Sequence, residues 1–243
     1  MKHLKRIFHF NELDSTSAFL KRGRFSLRNF TFISCDFQTD GHGRLGRSWV
    51  SPKNENLMFS VLIKDEDLIK NFSSLSLCSA VSILKVLQKL SLNDISIKWP
   101  NDVYVNGKKI CGILLESVAD NNQMSNVIVG IGLNVNTTEF IGEFISPPTS
   151  IALESCFYCK LKKIKSLVYK QIKKDFIKLK KVKSDYLSIA KQYNYLKGKT
   201  VFAEINNKKT EIKVLDICED NSLLCEIDGQ KQNIFSGEIT FHL

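Results

Sequence analysis

Apolar residues along this chain recur at strand spacing, then at helical spacing, and again at strand spacing near its end. Residues 31–36 (TFISCD) and 57–63 (LMFSVLI) predict strands, and the apolar run from Ser74 to Leu90 predicts a largely buried helix. Strands follow near 95–98 and 102–105. Asn106-Gly107, a type I′ hairpin signal, joins the second to a strand from Ile110 to Val118. After a polar turn at Asp120 to Asn122, residues 127–135 (VIVGIGLNV) continue the sheet, whose hairpins make it at least partly antiparallel. From 160 to about 196, Leu161, Ile164, Leu167, Val168, Ile172, Phe176 and Leu179 recur at helical spacing.

From Thr200 the pattern changes to short strands, VFAEI, TEIKVLDI, LLCEI, QNIF and EITFHL. They are separated by Asn206-Asn207, Asp220-Asn221 and Asp228-Gly229. Such spacing predicts a small barrel of about 45 residues. The expected organisation is α+β, with a first domain over residues 1–196 and a second over 197–243. A length of 243 residues at 43% hydrophobic composition suffices for one substantial core and a small second domain.

The net charge of +10 points toward nucleic acid until it is located. Residues 160–213 carry 17 lysines against four acids, which leaves the rest of the chain slightly acidic. Most of these lysines fall on the polar face of the 160–196 helical pattern, where they read as a solvated coat. Attraction of an acidic protein fits them better than nucleic acid, which calls for interleaved arginines and aromatics. The first ten residues, MKHLKRIFHF, hold no signal-peptide core, and no later run approaches a membrane span. A cytoplasmic protein without membrane association is expected. Seven cysteines, an odd number set mostly singly in apolar segments, fit a reducing compartment. The one C-x-x-C, Cys156 and Cys159, has neither the second pair nor the histidines of a zinc site.

Two polar segments carry the candidate chemistry. Residues 38–51 read QTDGHGRLGRSWVS. Gly41, Gly43 and Gly46 are expected to supply positive φ and bare N–H groups to an anion, and Arg44 and Arg47 to add guanidinium forks. Trp49 could stack on a flat ring or plug the base of the loop. A solvated glycine-rich loop is the plainer reading, and the segment is neither a Walker loop nor a dinucleotide fingerprint. The second segment, KWPNDVYVNGKKICGILLE at 98–116, sets Lys98, Asn101, Asp102 and Lys109 around a proline bend and hairpin ends. Its Gly112 implies a close approach to the backbone of an apolar strand. Asn-Asp after proline and Lys108-Lys109 at a hairpin end are also ordinary turn chemistry.

In this order, with Asp14-Ser15-Thr16-Ser17, VIVGIGLNVN, PPTSIALE at 147–154 and FSGEIT at 235–240, the chain resembles the biotin protein ligases, or biotin-[acetyl-CoA-carboxylase] ligases. The resemblance runs from about residue 10 to the end. It implies a mixed sheet flanked by helices that carries the site, and a C-terminal SH3-like barrel. It also implies two half-reactions: biotin and MgATP give biotinyl-5′-AMP and pyrophosphate, and the biotinyl group then passes to one lysine of a biotin carboxyl carrier protein of acetyl-CoA carboxylase or another biotin-dependent carboxylase. ATP and biotin are substrates, Mg2+ accompanies ATP, and no resident cofactor is implied. A homodimer is common in the family.

Carried over by motif, Ser15, Thr16, Ser17 and Gln38 meet the biotin ring. The segment from Gly41 through His42, Gly43 and Arg44 to Arg47 wraps carboxylate and phosphate, with Gly112 at the biotin. Arg44 and Lys109 are the catalytic cations. Arg47, Trp49, Asn101, Asp102 and Asn134 serve the nucleotide, with Trp49 on adenine and magnesium near Asp102. His42 stands where arginine is frequent, Ser17 where asparagine or glutamine is frequent, and Cys111 where alanine is. Only about 13 residues precede Ser15, too few for the DNA-binding domain of some members, so operator binding is not expected. Lipoate-protein ligase and a non-enzymatic biotin- or nucleic-acid-binding module are the other readings.

Overall fold

The computed structural model describes residues 6–120, 123–142, 144–182, 184–205, 208–235 and 239–240. Parts of the expected turns at 120–122 and 206–207, and residues 236–238 of FSGEIT, lie outside them. The chain orders as β1 (Ile7–Phe10), α1 (Thr16–Gly23), β2 (Thr31–Cys35), β3 (Leu57–Ile63), α2 (Glu66–Lys70), α3 (Phe72–Lys89), β4 (Ile95–Lys98), β5 (Asp102–Val105), β6 (Lys108–Asp120) and β7 (Gln123–Leu133). Then come α4 (Ile151–Ser155), α5 (Leu161–Leu179), α6 (Ser184–Gln192), β8 (Thr200–Ile205), β9 (Lys208–Ile217), β10 (Leu223–Ile227), β11 (Gln230–Ile234) and β12 (Ile239–Thr240). The single helical stretch expected from 160 to 196 is two helices. Lys178 on α5 and Asp185 on α6 form an ion pair across the break.

Seven strands form one mixed sheet in the order β1-β2-β3-β7-β6-β5-β4. β1 and β2 pair in parallel, and the other neighbours are antiparallel. Asn106 (φ 49°) and Gly107 (φ 71°) give the β5–β6 hairpin the backbone of a type I′ turn. The second sheet has the order β11-β10-β9-β8-β12, open at both ends among the described residues.

Period-two alternation divides the first sheet into two unlike faces. Leu57, Phe59, Val61 and Ile63 of β3, with Val127, Val129, Ile131 and Leu133 of β7, enter the main core beneath α3 and α5. Leu62 and Ile128 turn the other way, toward Leu20 of α1 in a smaller cluster. Their neighbours on that second face are small: Ser60 pairs with Gly130, and Gly132 with Gly112. Large side chains thus build the core on one side and leave a hollow on the other.

The lysine coat on α5 is solvated, as expected; Lys162, Lys163, Lys170 and Lys174 are exposed. Its inward face was not foreseen. Asp175, 5% exposed, accepts from Ser82 Oγ (2.8 Å), Lys85 Nζ (2.9 Å) and Gln171 Nε2 (2.9 Å), while Lys89 Nζ reaches Gln171 Oε1 (2.7 Å). Asp175→Ala removes the acceptor of three donors in a nearly dry α3–α5 interface and should cost about 3 kcal/mol. Urea unfolding checks this, and a change within about 0.5 kcal/mol, typical of surface positions, would refute it.

The main apolar cluster continues across residue 196 into Leu196, Val201, Ile212 and Val214. Trp99 Nε1 donates to Asn221 O (2.9 Å), and Tyr186 Oη to Asn221 Oδ1 (2.7 Å). The β9–β10 connection is therefore fastened to the turn that precedes Asn101.

Candidate active site

The hollow on the second face is a cavity of about 1070 Å³. Its lining takes in Ser15, Thr16, Ser17, Gln38, His42, Gly43, Arg44, Arg47, Trp49, Asn101, Asp102, Lys109, Gly112 and Asn134. Of the sequence-predicted site residues, Gly41 and Gly46 lie outside the lining.

At one end, Ser15 caps α1, its Oγ accepting from Ala18 N (3.4 Å). The neighbouring Asp14 forms a two-toothed pair with Arg22 (2.5 and 2.9 Å), and that guanidinium holds the Asp14 carboxyl down at about 2. Thr16 donates twice to Gln38 Oε1, through its backbone N (2.8 Å) and its Oγ1 (3.0 Å). Ser60 Oγ lies 2.8 Å from Thr16 Oγ1 and 2.9 Å from Ser17 Oγ. Sequence reasoning missed Ser60. Its only sign was a serine between Met58 and Leu62, on the strand face opposite the large core residues.

The 41–49 loop is a tight hairpin, with Gly43 N donating to Arg47 O (2.6 Å) and Trp49 N to Gly41 O (2.8 Å). The expected role of its glycines needs correction. Gly46 has positive φ (73°), but so does Leu45 (57°), whereas Gly43 is extended at φ −113° and Gly41 is not left-handed. A Cβ on Gly41 would lie 2.5 Å from Trp49 O and 2.8 Å from Gln38 Nε2, so proximity, not φ, excludes a side chain there.

Trp49 lies on the paired glycines of β6 and β7. A Cβ on Gly132 would come within 2.3 Å of its Cε2, and one on Gly112 within 3.0 Å of its Cζ3. The close approach expected at Gly112 is therefore this indole, with Lys109 Nζ also 3.4 Å from the same Cβ position.

At the cationic end, Lys109 Nζ meets Asp102 Oδ2 at 2.8 Å. Arg44 Nη1 donates to Asn101 Oδ1 (3.0 Å), and Asn101 Nδ2 to Ile113 O (2.8 Å), which ties the loop to the 99–102 turn. Lys109 is held through its backbone: its N donates to Pro147 O (2.8 Å) and its O accepts from Thr149 N (2.9 Å). Asn134, expected near the nucleotide, donates through Nδ2 to Thr149 O (2.9 Å) and so anchors that same segment to the cavity wall. Burial raises the pKa of the fully buried Cys111, the Asp102 charge adding to it, so this thiol stays protonated and unreactive beside the site. Among the described residues no cluster of three His, Cys, Asp or Glu could hold a metal, and no helix is long and apolar enough to cross a membrane. Among the described residues, Asp102 Oδ1 is a buried carboxylate oxygen without a hydrogen-bond partner, the hard donor type that a magnesium ion takes.

The profile of the Biotin/lipoate A/B protein ligase family matches residues 11–134. The chain is 34% identical over 127 residues to the bifunctional ligase/repressor BirA of Bacillus spizizenii, a match covering 51% of this chain and 39% of that protein. It is 31% identical over 147 residues to the biotin--[acetyl-CoA-carboxylase] ligase of Paracoccus denitrificans, covering 58% and 61%. The chain thus spans less than two thirds of the length of either curated relative. The structure of the biotin protein ligase from Aquifex aeolicus in complex with biotin and ATP is similar over nearly the whole chain: TM-score 0.86, 29% identity, 98% of this chain and 99% of that one.

Proposed function

Because this chain belongs to the biotin/lipoate A/B protein ligase family, we propose that it is an ATP-dependent biotin–protein ligase. It would join biotin to ATP as biotinyl-5′-AMP, release pyrophosphate, and pass the biotinyl group to a lysine of a biotin carboxyl carrier protein. The observation that carries this reading is one cavity with a polar ring-recognition end at Thr16 and Gln38 and a cationic end at Lys109 and Arg44.

The chemistry needs both ends. A cyclic urea buried among apolar walls requires partners for its N–H and C=O groups, since each left unpaired costs about 1–3 kcal/mol. Ser15, Thr16, Ser17 and Gln38 supply them, while His42, Gly43 and Gly112 border the acyl chain. Attack of the carboxylate on the α-phosphorus brings two anions together. Lys109 bridges them as a point charge, with Asp102 fixing its ammonium, and Arg44 spreads over the phosphate oxygens. No general base is required, because the carboxylate is already ionised. Arg47 serves the leaving pyrophosphate, and Asn101 holds Arg44. The indole of Trp49, backed by Gly112 and Gly132, offers its ring to adenine, and magnesium enters with ATP at Asp102. In the second step the carrier lysine's amine attacks the acyl carbon and AMP leaves.

Incubation with biotin, MgATP and a carrier domain, followed by intact-mass measurement, should show a single biotinyl addition. Biotin-dependent pyrophosphate exchange should appear, with none supported by lipoate. Exchange with lipoate in place of biotin, or binding without exchange, would replace this reading with one of its alternatives.

A further inference from the structure

We infer that Ser60 is a positioning residue for biotin: with Ser17 it forms a one-way proton chain that fixes the donor and acceptor pattern the site shows its ligand. The inference rests on the biotin reading above and adds a residue and a polarity to it.

The direction of each proton follows from groups that have no choice. Thr16 N can only donate, and it lies 2.8 Å from Gln38 Oε1, so the amide oxygen faces Thr16 and the amide nitrogen faces away. Thr16 Oγ1, 3.0 Å from that same oxygen, must then donate to it. A hydroxyl has one proton, so at the 2.8 Å contact between Thr16 and Ser60 it is Ser60 that donates. Ser60 has now spent its own proton, and at 2.9 Å it accepts from Ser17. The order is Ser17 to Ser60 to Thr16 to Gln38, head to tail. The three hydroxyl residues are buried, Ser60 completely, and every bond in the order runs between protein atoms.

At its Gln38 end the chain leaves one lone pair on Thr16 and the two amide protons of Gln38 to meet a ligand. Thr16 therefore presents an acceptor and Gln38 a donor, a pattern complementary to an adjacent N–H and C=O of a urea. A dithiolane ring satisfies neither group. Ser60 also pins the Thr16 side chain from the sheet while Gln38 pins it from the loop. Gly130, opposite Ser60, keeps the space open: a Cβ there would lie 2.8 Å from Ser17 Oγ.

The test is steady-state biotin-dependent pyrophosphate exchange. Ser60→Ala should raise the KM for biotin about tenfold, on the order of one buried hydrogen bond, with the KM for ATP unchanged. In a Thr16→Val background, Ser60→Ala should raise it no further, because Ser60 acts through Thr16. An unchanged KM for biotin in folded Ser60→Ala, or an equal effect in both backgrounds, overturns the inference. If Ser60→Ala does not fold, the near-isosteric Ser60→Cys, whose thiol is a weak donor, should give a smaller rise in the same KM, and no rise overturns it. Absence of exchange in the wild-type protein would overturn the biotin reading instead.

Discussion

Lys109→Ala should lower biotin-dependent pyrophosphate exchange by at least about 10³-fold, the scale of a lost preorganised charge, while circular dichroism and the melting temperature change little. The lysine is placed by its backbone, between Pro147 O and Thr149 N, so truncating the side chain leaves the β6 start and the 147–149 segment joined. What is lost is the ammonium facing Asp102 at 2.8 Å. Without it, two anions meet beside an uncompensated carboxylate, and repulsion replaces a bridge. Wild-type exchange by this variant would remove Lys109 from the chemistry.

Gly132→Ala should raise the KM for ATP at least about tenfold and shift the tryptophan emission. The added Cβ would sit 2.3 Å from Trp49 Cε2 and 2.5 Å from Cζ2, inside a rigid ring that cannot bend away as a flexible side chain can. The ring must tilt or leave its floor, at an overpacking cost of about 1–3 kcal/mol. Gly112→Ala, whose Cβ would lie 3.0 Å from the indole, should act in the same direction more weakly. Unaltered emission together with an unaltered KM for ATP would mean that the ring does not rest there in solution.

The strands of the first sheet were legible from the chain because its core positions are large, apolar and period-two. Leu57–Ile63 and Ile95–Lys98 fall where alternation placed them. The short elements were not. β1, α1, α2 and α4 span eight residues or fewer and owe their form to packing and caps more than to pattern. The two-helix break after Leu179 escaped because the lysine-rich periodicity runs smoothly through it. In the site, motifs located Arg44, Asn101, Asp102 and Lys109, all of which the fold gathers on one cavity. Motifs gave no hint of Ser60, whose significance is the register that sets it between Thr16 and Ser17. They also misstated the glycines: Gly41 is small because a carbonyl sits against it, and Gly43 has ordinary strand geometry.

The attachment at Asn221 has a mechanical consequence. Its carbonyl holds Trp99, its side chain holds Tyr186 and reaches Ser74, and Trp99 is two residues from Asn101, which grips Arg44. Two hydrogen bonds and two peptide units thus separate the C-terminal sheet's β9–β10 connection from the guanidinium at the cavity. A protein pressing on that sheet would bear on the turn whose Asn101 holds Arg44.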